Sequence, residues 1–288
     1  MIGAGLCRVR VDDGHQVTDG IVLGVIGGGL DVSVELGDAG FDWLSYASSA
    51  QGVTVNLAAG TASGGDAGGD KFSGFEAVIG SAHADNITGG LEGSSLLGGA
   101  GDDTITGGDS DDTVDGGAGF DTMDGGAGTD TLNYAASAGW ISVSMASGGA
   151  YDLYGQTDAF SNFENIIGSA FGDSIHGDEF ANVIDGGGGG DYIVGSGGDD
   201  VLVGGEGDDM FVHFSSGSDT ILDFHAGNDE EDEINVVLAF DFDTFSEVMA
   251  VASQSGADTV FNFAPGNQLT LAGVDMTTLT QSDFYFSV

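Results

Sequence analysis

Residues 98–133 read GGAGDDTIT GGDSDDTVD GGAGFDTMD GGAGTDTLN: four consecutive blocks of nine, each opening on a glycine pair, with aspartate sixth and an apolar residue eighth. A flexible linker and a disordered acidic tail are the two plain readings of such a stretch. Composition argues against both. The 288-residue chain has 47 acidic and 3 basic side chains, a net charge of −44 that favours disorder, yet 41% of its residues are hydrophobic, which does not fit a chain unable to bury a core. With only Arg8, Arg10 and Lys71 as internal cations, neutralisation has to come from outside. The same acidity excludes nucleic acid and anionic membrane as partners.

Other classes fall away quickly. No window of about 18 apolar residues is present to insert into and span a bilayer. The single Cys7 cannot form an internal disulfide, so a disulfide-stapled fold is excluded. The opening MIGAGLCRVRVDDGHQ lacks the positive-then-apolar order of a secretory signal peptide, so export would need another route. The start reads as abrupt, like that of a fragment.

The nine-residue register extends backwards through GSAHADNIT (80–88) and GGLEGSSLL (89–97). It returns as GSAFGDSIH, GDEFANVID, GGGGGDYIV, GSGGDDVLV and GGEGDDMFV over 168–212. A longer period lies above it: Tyr46, Val55, Phe75, Glu76, Ile79, Asp85 and Ile87 recur 88 residues on as Tyr134, Val143, Phe163, Glu164, Ile167, Asp173 and Ile175. This is an internal duplication. Each copy carries an alternating segment, GVTVNL (52–57) or WISVSM (140–145), with the period of a half-buried strand. The expected organisation is an N-terminal strand segment (1–36), a first module (37–133) with its array at 80–133, a second (134–212) with its array at 168–212, and a C-terminal cap (213–288).

In a GGxGxDxUx unit the last three residues form a short strand with the eighth side chain pointing inward: Ile105, Val114, Met123, Leu132, Ile193, Leu202 and Phe211. The first six form a turn. Glycine lets backbone carbonyls crowd around one point, and the aspartate adds a charged oxygen to them. An all-oxygen set of flexible geometry suits calcium better than zinc or magnesium. Two nonapeptides make one coil, so residues eighteen apart become neighbours: Asp103 with Asp121, Asp112 with Asp130, Asn182 with Asp200, Asp191 with Asp209. At a coil spacing of roughly 4.8 Å, two carboxylates would repel by roughly 3 kcal/mol at an effective dielectric of about 20. A divalent ion between them turns that repulsion into a cross-link.

These units resemble the calcium-binding repeats of the RTX (repeats-in-toxin) family, also called hemolysin-type repeats, over roughly a third of the chain. The resemblance implies an all-β fold, a right-handed parallel β-roll with flanking strand modules and a β-rich C-terminal cap with one short helix. It also implies several Ca2+ ions in rows between turns, and export unfolded through a type I ABC exporter. The ligand pattern it implies is the second and fourth residues and the aspartate of one turn, with the first and third residues and the aspartate of the turn eighteen on. One such set is Gly99, Gly101 and Asp103 with Gly116, Ala118 and Asp121; the next is Gly108, Ser110 and Asp112 with Gly125, Ala127 and Asp130. In the second array Gly187, Gly189 and Asp191 face Gly204, Glu206 and Asp209. Equivalent positions in neighbouring turns add Asp85, Asp173, Asn182, Gly186, Gly188, Gly195, Gly197 and Asp200. Ser94, Asn182 and Phe180 depart from the pattern and weaken their turns.

After the arrays, GSDTILDF (217–224) followed by EINVV is similar to the segment closing RTX rolls. Thr244 and Glu247 form a capping box ahead of a short helix. ADTVFNF and QLTLAG, joined at APGN with Pro265, read as a hairpin. The terminal DFYFSV, with Asp283, fits a type I secretion signal and equally a last strand packed on the core; the two are compatible.

No catalytic role is expected. H-E-x-x-H, G-x-S-x-G and a lysine-bearing phosphate loop are all absent, and the five histidines (His15, His83, His176, His213, His225) are scattered and read as surface residues. The function expected is that of an extracellular, secreted or cell-surface calcium-binding protein with a structural, surface-layer, matrix or adhesive role, through self-association or contact with a cell surface. The alternative is the C-terminal secretion and folding module of a larger secreted protease, lipase or epimerase. An ice-binding face is disfavoured because turn positions three to five vary. Trp43, Tyr46, Tyr134, Trp140, Tyr151 and Tyr154 are expected to pack against the roll, with a carbohydrate or protein contact as the minority reading.

Overall fold

The computed structural model describes residues 22–24, 33–35, 40–153, 155–214, 216–227, 232–236 and 242–286. The chain divides into two compact units, Met1–Leu132 with Gln156–Phe163, and Asn133–Gly155 with Glu164–Val288. Each is a parallel β-roll.

In the first unit, successive nonapeptides send their strands alternately to two sheets. Asn86–Thr88, Thr104–Gly108 and Thr122–Gly126 lie in one, Ser95–Ala100, Thr113–Ala118 and Thr131–Asn133 in the other. Pairing is parallel at a spacing of eighteen: Ile105 sits beside Ile87 and Met123, Val114 beside Leu96 and Leu132. The eighth-position side chains therefore stack on one another between the sheets, and Ile87, Leu96, Ile105, Val114, Met123 and Leu132 are all buried. Each contributes roughly 2 kcal/mol of transfer free energy. The alternating segment 52–57 forms Thr54–Asn56, which extends the first sheet beside Asn86–Thr88.

The four central strands of this array, Ser95–Ala100 to Thr122–Gly126, are five or six residues long. Thr113–Ala118 continues through the glycines of the next turn, with Gly117 opposite Gly99. A Cβ on Gly117, whose φ is +89°, would strike the Gly99 carbonyl, so only glycine allows the backbones to stay at ladder distance here. In the second unit Val183–Asp185, Tyr192–Val194, Val201–Val203 and Met210–Val212 keep to three residues, beside turns with a different course in which Ser196 has φ +76°.

The second unit is closed by the cap. Gly217–Ile221 pairs with Asn267–Leu271, which forms the expected hairpin with Asp258–Ala264. Helix Phe245–Met249 is capped by Thr244, whose hydroxyl donates to Glu247 Oε2 at 2.8 Å. Phe284–Tyr285 is the last strand, parallel to Glu233–Asn235, with Asp283 and Phe284 buried. Among the six aromatics singled out above, Tyr46 and Tyr134 are buried and Trp43 is half-buried. Trp140 and Tyr151 are exposed instead, because they lie on the outward face of the Ile141–Ser144 and Gly149–Asp152 hairpin. Tyr154 lies outside the described residues. No helix among the described residues is long and apolar enough to cross a membrane.

Candidate metal centre

Parallel register brings the sixth-position residues into two ladders per unit. In each, one Oδ1 accepts the backbone N–H of the residue one coil earlier: Asp85 to Asp103 at 2.8 Å, Asp103 to Asp121 at 2.9 Å, Ser94 to Asp112 at 2.6 Å, Asp112 to Asp130 at 2.8 Å. The second unit repeats this with Asp173 to Asp191 (2.7 Å), Asp191 to Asp209 (2.9 Å) and Asn182 to Asp200 (2.9 Å). Every carboxylate is thus fixed in orientation by the coil before it.

Its second oxygen is left over. Oδ2 of Asp103, Asp112, Asp121, Asp191, Asp200 and Asp209 is buried without a hydrogen-bond partner. A buried orphan acceptor costs about 1–3 kcal/mol, more when charged, and six are too many for oversight by the fold. Removal from water pushes the Asp121 and Asp191 carboxyls up to about 7 and those of Asp103 and Asp209 up to about 6; neighbouring carboxylates push the same way and the backbone N–H opposes. Asp112 and Asp200 are raised by the same burial.

The first-position glycine of each turn completes the cradle. A Cβ on Gly98 would meet both Asp103 Oδ2 and the carbonyl of Gly116, one coil on; Gly107 stands likewise between Asp112 Oδ2 and the Gly125 carbonyl, and Gly186 between Asp191 Oδ2 and the Gly204 carbonyl. Each missing side chain leaves a space bounded by a carboxylate and a carbonyl of the next coil. Among the described residues no three His, Cys, Asp or Glu side chains converge as in a site built from side chains alone. The donors present are hard oxygens, carboxylate and carbonyl, and this set fits calcium and not zinc.

The structure therefore brings together Asp103 with Gly116, Asp112 with Gly125, and Asp191 with Gly204. Other carbonyls of the expected ligand sets are engaged in inter-turn backbone bonds: Ala118 accepts from Gly101 N, Gly108 from Ala127 N, Gly187 from Glu206 N, and Glu206 from Gly189 N. A carbonyl retains a second lone pair for a cation.

The outermost rungs differ. Asp85 Oδ2 accepts Ser81 N and its Oδ1 accepts the Ser81 hydroxyl (2.9 Å) and Val53 N; Asp173 is held in the same way by Ser169 and Ile141 N. Both oxygens of each of these carboxylates are hydrogen-bonded by the protein. Ser94 Oγ accepts Gly90 N, and Asn182 Oδ1 accepts Asp178 N, so these two also close without an outside ligand. Phe180 stands exposed at its turn.

Three ladder members escaped the nine-residue register. Asp158 accepts Asp121 N at 3.0 Å, Asp219 accepts Asp200 N at 3.1 Å, and Asp232 accepts Asp209 N at 3.1 Å, at separations of 37, 19 and 23 residues. The signal was present: Asp158-Ala-Phe, Asp219-Thr-Ile and Asp232-Glu-Ile each repeat the aspartate-x-apolar order of positions six to eight. His213 corrects the reading of the histidines as surface residues, being only 2% exposed, because its ring has partners in the cap.

A family model described as the RTX calcium-binding nonapeptide repeat (4 copies) matches residues 79–112, 88–123, 106–138, 167–200, 176–211 and 185–221. The two arrays are RTX calcium-binding nonapeptide repeats. No curated protein matches the chain. Among solved structures, the extracellular lipase LipA from Serratia marcescens is similar over 73% of this chain and 40% of that one, at 18% identity and a TM-score of 0.31. The chain spans less than half the length of that lipase.

Proposed function

We propose that this chain is an extracellular calcium-dependent folding module with a structural or adhesive role, exported unfolded through a type I ABC exporter. The observation that carries the reading is the set of six buried carboxylate oxygens without a partner. Without a cation they burden the roll with unpaired, mutually repelling charge. With one, each carboxylate cross-links two coils.

Where calcium is scarce, the chain's charge of −44 opposes compaction and leaves it fit for a narrow channel. Outside, with free calcium about a hundred times a site's Kd, each ion adds roughly 2.7 kcal/mol to the folded state. Several such ions decide whether the roll exists. The absence of hydrolase motifs from the sequence supports a non-catalytic role.

Circular dichroism with calcium and with a chelator tests this reading. A large gain of β signal on adding calcium, not reproduced by magnesium, is expected; an identical spectrum in both conditions would sink it. Light scattering under the same two conditions distinguishes a self-associating layer or matrix protein, which grows with calcium, from a monomeric module.

A further inference from the structure

One ladder of the second unit ends on a different chemistry from its interior rungs. Asp219 accepts the N–H of Asp200 on Oδ1, as an interior aspartate does, but its Oδ2 lies 2.7 Å from Nδ1 of His213. The other ring nitrogen, Nε2, lies 2.9 Å from Oδ1 of Asn267. That amide is fixed in orientation: its Nδ2 donates to the Phe214 carbonyl at 3.1 Å, and turning it round would set two acceptors against each other.

Both ring nitrogens therefore face acceptors. Beside an ionised Asp219, a neutral imidazole donates from one nitrogen only, so one of these two contacts would oppose lone pair to lone pair; an imidazolium against a carboxylate satisfies both. Water offers no substitute, since His213, Asp219 and Asn267 are at most 3% exposed and the Phe263 ring stacks on the imidazole at 5.2 Å. Among the described residues, charged groups at the ring include Asp219 and, behind it, Asp200, whose carboxyl interacts with that of Asp219. Asn267, Phe263 and the Asn235 carbonyl that accepts His213 N bring no charge.

We propose that His213 is a resident imidazolium that supplies, from within the protein, the positive charge an interior rung would take from a metal ion, so that the ladder through Asp200 ends on a protein cation and its last rung binds none. The proposal rests on the calcium reading for the interior rungs alone. It gives the cap end of the roll its own neutralisation, independent of calcium supply.

A long-range proton–nitrogen correlation spectrum of the isotope-labelled full chain, folded in calcium at neutral pH, tests it. The His213 ring is identified by its contacts to Phe263 and by its loss in His213→Gln. Both ring nitrogens should carry protons; one protonated and one bare nitrogen overturns the proposal. In His213→Gln the calcium midpoint for folding should rise at least about twofold, as one charge-assisted pair is lost. A folded variant with an unchanged midpoint also overturns it, and if the variant does not fold the wild-type ring spectrum decides alone. The wild-type calcium titration reports separately on the calcium reading.

Discussion

The backbone N–H of Asp103 donates to Oδ1 of Asp121, eighteen residues ahead, at 2.9 Å, while Oδ2 of both carboxylates is buried without a partner. One bond orients the carboxylate and the remaining oxygen waits for a cation. The consequences can be measured rung by rung.

Asp121→Asn keeps an oxygen for Asp103 N and removes one charge. Its calcium midpoint, followed by circular dichroism, should rise about tenfold because ligand charge sets affinity for a hard cation. In chelator the variant should be no less structured than wild type, since a repulsion of roughly 3 kcal/mol is relieved. A variant weakened equally in both conditions would assign Asp121 a packing role only.

Acidity should replace calcium in part. Asp121 and Asp191 are held at about 7 in the roll against about 4 in an unfolded chain, so the folded form binds more protons between those values. The contribution of these carboxyls to the stability of the calcium-free roll is then complete below about pH 4 and is lost as pH rises through about 7, at an order of 4 kcal/mol each. With chelator present, β signal and melting temperature should be higher at pH 5 than at pH 8. The opposite trend would contradict the burial of these carboxyls. Calcium binding near pH 7 should release protons, measurable in weakly buffered solution.

Gly98→Ala places a methyl group in the cradle between Asp103 Oδ2 and the Gly116 carbonyl. Overpacking of this kind costs about 1–3 kcal/mol, and the calcium midpoint should rise with it. Gly68→Ala, where the nearest atom to an added Cβ is 3.7 Å away, is the matched control and should melt within about 0.5 kcal/mol of wild type. Equal effects at the two sites would remove the cradle from the account.

Ser81→Ala takes a hydroxyl from the saturated end rung and leaves Asp85 Oδ1 with the N–H of Val53. A loss of about 1 kcal/mol is expected. The number of calcium ions bound, counted by native mass spectrometry, should stay the same. A change in that number would mean that the Asp85 rung carries metal.

Much of this was legible in the residues. Aspartate at position six and Ile105, Val114, Met123 and Leu132 at position eight mark a strand, a turn and a coil of eighteen, because an unbroken repeat places the same residue types opposite one another in every layer. The expected hairpin around Pro265 and the Thr244 cap likewise depend on local chemistry. Asp158, Asp219 and Asp232 escaped because insertions break the register while the aspartate-x-apolar order survives. The exposure of Trp140 and Tyr151 also escaped, since the face of a hairpin is decided by what it packs against.

The sequence by itself determined the period, the acidic ladders and the need for an outside cation, since 47 carboxylic acids facing 3 bases cannot be neutralised internally. Only the tertiary structure decided which carboxylates keep an open oxygen. Ser81 and Ser169 close the first rungs, and His213 closes a last one through Asn267, which lies 54 residues away. Whether a charged oxygen finds a partner depends on which donors reach it in three dimensions, and a repeat, identical in each turn, carries no record of where its ladder ends.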